Sequence, residues 1–139
     1  MKILIRADAS NARGMGHISK QITLYNRLRL LGHEILFVTK KNKHSLKILE
    51  LNSINYICFD GDKFFDLGGI LNSFKARIIL LDILNTTCKY IEGIKNYKIK
   101  IVTFDNSDES SFMCDIIFNI MYYHKLDVKK KYNNLTYLY

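Results

Sequence analysis

The apolar run Ile3-Leu4-Ile5, continued by Arg6-Ala7-Asp8 and, a few residues on, by Gly14-Met15-Gly16-His17, decides the reading of this chain. An apolar strand, a polar turn through Arg6, Asp8 and Ser10, two glycines and then an amphipathic helix make a β-loop-α unit. Such a unit aims backbone N–H groups and the positive end of a helix dipole at whatever binds above the strand. A histidine at the mouth of that helix can change charge near neutral pH, so His17 is the first candidate for chemistry.

The pattern of that first unit continues along the chain. From about His17 to Leu31, Ile18, Ile22, Leu24, Tyr25, Leu28 and Leu31 recur near the helical period, and Gly32 supplies a stop that accepts positive φ. A strand is expected at Glu34 to Thr39, a helix at about Asn42 to Leu51 and a short strand at Asn55 to Phe59. After the turn Asp60-Gly61-Asp62, residues from about Phe65 to Phe74 read as a short helix, although Gly68-Gly69 interrupts it. Ala76 to Leu81 is a buried strand ending at Asp82, followed by a helix from Thr86 or Thr87 to Asn96. Lys100 to Phe104 and Asp115 to Ile120 complete about six strands, and the tail from Tyr122 onward reads as a helix.

Continuous apolar strands alternating with helices imply an α/β fold: a Rossmann-like parallel sheet with helices on both faces. Ligands in such folds sit above the carboxyl ends of the strands, where strand order reverses. Arg6, Asp8, Asp82, Asp105 and Asn106 stand at those ends, beside the Gly14 to His17 turn.

Composition narrows the classes. The 139 residues are 48% hydrophobic and 24% charged, as expected of one globular domain. Runs such as Ile35-Leu36-Phe37-Val38 and Ile78-Ile79-Leu80-Leu81 are strand-sized and too short for a transmembrane segment. Met1-Lys2-Ile3-Leu4-Ile5-Arg6 lacks the apolar core of a signal peptide, so a cytoplasmic location is expected. Cys58, Cys88 and Cys114 have neither disulfide nor zinc spacing, and Cys58 and Cys88 read as small buried core residues. Much of the net charge of +8 comes from Lys40-Lys41-Asn42-Lys43-His44 and Lys129-Lys130-Lys131. No stacking aromatic platform accompanies them, so nucleic acid is not the expected partner. A diffuse lysine surface, or attraction to phosphorylated ligands or an anionic membrane surface, accounts for the charge.

Gly14-Met15-Gly16 is not a dinucleotide fingerprint: Ser19-Lys20 stand where its third glycine would fall, and Thr39-Lys40 replace the acid after the second strand. The phosphate loop ending in Gly-Lys-Ser/Thr is also missing. His17 reads either as a helix-start packing residue or as a general base, since the helix dipole favours the neutral ring. Asp8 orients that ring, binds a ligand hydroxyl or ends its strand by bonding loop amides. Asp82 and Asp105 are candidates for binding hydroxyls or bases, and Asn106 and Asn119 for hydrogen-bonding a sugar. His33, His44 and His124 read as surface or tail residues, and Tyr122, Tyr123, Tyr137 and Tyr139 as packing residues.

Arg6-Ala7-Asp8-Ala9-Ser10 with Gly14-Met15-Gly16-His17-Ile18 resembles the opening of the PseG-type UDP-sugar hydrolases and the SpsG-type spore-coat polysaccharide proteins. These in turn are similar to the N-terminal half of GT-B glycosyltransferases, including the MurG group. Leu80-Leu81-Asp82, Val102-Thr103-Phe104-Asp105-Asn106 and Cys114-Asp115-Ile116-Ile117-Phe118-Asn119 resemble the later landmarks in order, over about residues 1 to 121. The resemblance implies hydrolysis of a UDP-linked deoxy-diacetamido sugar, releasing UDP on the route to pseudaminic acid, without cofactor or metal. His17 would activate water at the anomeric carbon. Arg6, Asp8, Gly14, Met15, Gly16, Lys20, Asp82, Asp105, Asn106 and Asn119 would line the substrate.

The chain departs from the family pattern at Lys20, where arginine is usual, at Asn106, where a second acid is usual, and at Ile83-Leu84, which replace an aromatic. Family members also carry a second, nucleotide-binding α/β domain, and residues 1–139 correspond to the first alone. The chain is then expected to be a fragment of a longer enzyme, one subunit of a split two-chain enzyme or a degenerate free-standing domain, and by itself to bind nucleotide weakly and turn over poorly. Half of a GT-B glycosyltransferase, or a non-catalytic subunit pairing with a separate nucleotide-binding chain, are the alternative functions.

Overall fold

The computed structural model describes residues 1–8, 16–60, 67–83, 85–106 and 108–118, together with the backbone of 136–138. Strands β1 (Lys2–Ala7), β2 (Glu34–Lys40), β3 (Tyr56–Phe59), β4 (Ile78–Asp82), β5 (Lys100–Phe104), β6 (Ile116–Phe118) and β7 (Thr136–Leu138) form one sheet, in the order β3-β2-β1-β4-β5-β6-β7. Every neighbouring pair is parallel. Helices α1 (Gly16–Leu30), α2 (Lys43–Leu51), α3 (Leu67–Phe74) and α4 (Cys88–Lys95) connect the first five strands, and a 3₁₀ turn at Glu109–Met113 precedes β6.

The period-two alternation of the strands sorts the core into two layers. Ile18, Ile22 and Tyr25 of α1 and Leu49 of α2 pack with Ile3, Ile5, Ile35, Phe37, Leu80, Val102 and Phe104 on one face. Leu67 and Leu71 of α3 and Ile91 and Ile94 of α4 pack with Leu4, Leu36, Val38, Ile79, Leu81 and Ile101 on the other. Each fully buried aliphatic side chain contributes on the order of 2 kcal/mol by leaving water. Burial on both faces is why these strands read as unbroken apolar runs.

Local chemistry sets the helix ends. Asn42 caps α2 by accepting from the His44 and Ser45 amides at 3.0 and 3.2 Å. Thr87 caps α4 by accepting from the Tyr90 amide at 3.2 Å. Gly32 follows α1 with φ +79, and a Cβ there would meet nothing within 4 Å. The cost of Gly32→Ala is therefore backbone strain alone. We expect a loss of about 1 kcal/mol, seen as a lower urea midpoint with an unchanged slope.

Three expectations are corrected. Cys58 and Cys88 are exposed and Cys114 is the buried cysteine. Cys58 lies on the edge strand β3 and Cys88 is the first residue of α4, so neither faces the core. Residues 136–138 form a strand beside β6 and not part of a helix; the rest of the tail, 119–135 and Tyr139, lies outside the described residues.

Candidate functional site

Strand order reverses at β1, whose neighbours are β2 on one side and β4 on the other. In register, Ala7 stands opposite Asp82. Asp82 shares the parity of Leu80 and so projects toward α1, and Ala7, with no exposed surface, leaves room for the helix start above it. Four side chains meet there. His17 Nδ1 lies 2.6 Å from Asp82 Oδ1, Gln21 Nε2 donates to Asp82 Oδ2 at 2.8 Å, and Lys20 Nζ lies 3.1 Å from the same oxygen. Lys20 Nζ also donates to Asp105 Oδ2 at 3.0 Å and stands 5.2 Å from the centre of the Phe104 ring.

This arrangement has a direction. The Asp82 side chain is 0% exposed and the His17 ring 24%. A carboxylate only accepts, so the short contact assigns a proton to Nδ1, and in the neutral tautomer so defined Nε2 carries the lone pair. His17 and Gln21 are one helical turn apart and grip the two oxygens of one carboxylate. Asp82 is thereby held by donors from its own chain, and its influence on a ligand runs through His17. Asp105, at the end of β5, adopts φ 46, a left-handed conformation that Asp tolerates better than most residues. That backbone turns its carboxylate toward Lys20.

Arg6 and Asp8 form a separate pair. Arg6 has the parity of Leu4, on the sheet face opposite His17, where its guanidinium stacks 4.3 Å from the Phe59 ring centre and donates to Asp8 Oδ2. Asp8 Oδ1 accepts the Lys40 amide at 2.7 Å and so ties the exit of β1 to the end of β2. Of the alternatives for orienting the His17 ring, the structure brings Asp82 and not Asp8 to Nδ1. Burial lowers the Arg6 pKa, against Asp8 and Tyr90, which raise it. Burial likewise pushes the Tyr90 hydroxyl from 10.0 up to about 12, with Arg6 pulling it down and Asp8 adding to the rise.

Asn106 belongs to a third group. It is buried, its Nδ2 donates to Thr86 Oγ1 at 2.6 Å, and its Oδ1 accepts the Asp108 amide at 3.0 Å. Ser110 Oγ lies 2.7 Å from Thr86 Oγ1 and donates to the Thr86 carbonyl. This network fastens the loop after β4 to the loop after β5. Beneath it, burial drives the Cys114 thiol from 9.0 to about 12, against Lys95. Asp115, at the entry to β6, is held below the usual carboxylate value: burial raises it, but Lys100 Nζ and the Ile101 amide bond its ionised form.

Both raised groups have a folded pKa above the unfolded value, so the neutral forms stabilise the fold. That contribution is complete below about pH 9 and disappears as pH rises toward about 12. We expect the urea midpoint to fall over that window, and to fall less steeply in Tyr90→Phe. An equal slope in that variant would remove Tyr90 as a cause.

Gly16 heads α1, while Gly14, Met15 and Asn119 lie outside the described residues. Gln21 is the site residue that the sequence did not single out. It is fully buried in the stripe of Ile18, Ile22 and Tyr25, and a polar residue at core spacing was the available signal. Lys41 of the basic cluster pairs with Asp60 at 3.2 Å on the surface. Among the described residues, no group of three His, Cys, Asp or Glu could hold a metal ion, and no helix is long and apolar enough to cross a membrane.

Comparison with solved structures defines the fold class. MurG of Acinetobacter baumannii superposes with a TM-score of 0.64 and 10% identity, over 86% of this chain and 41% of MurG. A glycosyltransferase from Rickettsia africae ESF-5 superposes with a TM-score of 0.63 and 14% identity, over 98% of this chain and 42% of that one. The chain therefore has the Rossmann-like fold of one GT-B half. No family model matches it. An uncharacterised protein of Methanocaldococcus jannaschii is 30% identical over 145 residues, spanning 100% of this chain. The chain spans 29% of the length of that relative.

Proposed function

We propose that this chain is the N-terminal half of a nucleotide-sugar hydrolase, with His17 as the general base. The observation that carries the reading is the 2.6 Å bond between His17 Nδ1 and the enclosed Asp82, at the head of α1 and at the sheet's order reversal. A neutral ring so held takes a proton on Nε2 from a water molecule. The water oxygen forms its bond to the anomeric carbon as the bond to the diphosphate breaks. Its electron pair leaves with the nucleoside diphosphate, and the sugar is released with inverted configuration. First-turn amides of α1 have no carbonyl partner within the helix and face the anionic group. The resemblance of residues 1–121 to PseG-type hydrolases supports water as the nucleophile and UDP as the leaving group. A second α/β half, in the same polypeptide or in a partner chain, supplies the nucleotide site.

The fold favours one second reading. Both superposing proteins are glycosyltransferases or carry the MurG name, and the same base could deprotonate a sugar hydroxyl. Product analysis with both halves present separates the two. Free sugar and UDP formed without any acceptor supports hydrolysis; turnover that requires an added acceptor overturns it in favour of transfer.

A further inference from the structure

We propose that Lys20 is a positioning residue: by bridging Asp82 and Asp105, it governs how strongly His17 holds a proton. Lys20 Nζ lies 3.1 Å from Asp82 Oδ2 and 3.0 Å from Asp105 Oδ2, so one ammonium is divided between carboxylates carried by neighbouring strands. The face of Phe104 stands below it at 5.2 Å. Asp82 is also the acceptor for His17, through its other oxygen. Lys20 and His17 are three residues apart on α1 and so are neighbours on its surface. The charge on Lys20 is thus committed to the two acids, and its effect on a ligand passes through the histidine.

Among the described residues, the charged groups around the ring act with opposite signs. Asp82, from β4, bonds the ring and draws a proton onto His17, and Asp105, just after β5, acts on it through the ammonium it shares with Asp82. Lys20, on the same helix as His17, and the amino-terminal dipole of α1 oppose the proton. Gln21 is neutral, and Arg6 and Asp8 lie across β1, paired with each other. Removing Lys20 takes its ammonium away from Asp82, the carboxylate that bonds the ring. Removing the charge of Asp105 commits Lys20 wholly to Asp82 and weakens that carboxylate's hold on the imidazolium.

The two variants therefore move His17 in opposite directions, which loss of packing alone would not do. The test follows the His17 ring proton resonance of the full chain by NMR against pH, assigned by its absence in His17→Gln. In Lys20→Met the proton affinity of His17 should rise about ten-fold, and in Asp105→Asn it should fall several-fold. Lys20→Arg should stay within about three-fold of the parent, because it restores the charge. Asn at 105 keeps the left-handed backbone accessible, so this arm holds even if Lys20→Met folds poorly. Movement of both variants in one direction, or movement of neither beyond two-fold, overturns the proposal. The inference takes its consequence for turnover from the general-base reading. The titration needs no substrate, so its failure and the failure of that reading are separate results.

Discussion

His17→Gln should lower kcat by about a hundred-fold or more, with KM changed little, in a preparation that supplies both halves of the GT-B fold. Glutamine can keep a donor on Asp82 and fill most of the space of the ring, so the site stays assembled. What it lacks is a nitrogen that takes up a proton near neutral pH. A positioned base contributes about a hundred- to ten-thousand-fold, and an interaction made only as the proton moves appears in kcat. His17→Ala would confound the result, because it also opens a gap beside Asp82. The decisive comparison is single-turnover release of the nucleoside diphosphate by the parent and by His17→Gln. A difference of less than three-fold would remove His17 as the base. The histidine would then remain a packing residue at the start of α1, the other reading its sequence position allowed.

The elements that build this site were legible because they obey local rules. The unbroken apolar strands, the 3.6-residue stripe of α1 and the stop at Gly32 each follow from a neighbour-by-neighbour reading. The position of Asp82 at a strand end was legible too, and so was its face, since Leu80 and Asp82 share a parity. That same parity puts Arg6, a candidate substrate-lining residue, on the sheet face opposite His17, the candidate base. Which carboxylate meets the ring depends on strand order, and strand order is a property of the whole sheet. Cys58 illustrates the same point. Its strand is apolar enough to be central, yet β3 closes the sheet edge and leaves the thiol exposed. The links among Thr86, Asn106 and Ser110 join residues 20 and 24 positions apart through loops whose path no periodicity encodes. Gln21 was hidden by its position, since a glutamine within an apolar stripe reads as an interruption until its partner is known.

Asp82→Ala should cost about 2 to 4 kcal/mol of unfolding free energy, the largest stability loss expected from any single substitution in the site. Most of that cost arises in what remains. Lys20 keeps Asp105 as a counter-ion at 3.0 Å, and the partly exposed ring of His17 can find water. Gln21 cannot: it is fully buried, its Oε1 has no partner among the described residues, and losing Asp82 would also strand Nε2. A buried amide with no bond at either end is penalised by about 1 to 3 kcal/mol, and the vacated carboxylate leaves a small void besides. The two residues should therefore be strongly coupled. In a double-mutant cycle, Gln21→Met combined with Asp82→Ala should be less destabilising than the sum of the singles by at least about 1 kcal/mol, because methionine has no amide to strand. Urea unfolding of the four proteins, with slopes compared to establish two-state behaviour, measures the difference. Strict additivity would mean that Gln21 does not hold the carboxylate. The orientation of Asp82 would then rest on Lys20 and His17 alone, and the site would lose the one partner that is rigid because it is buried.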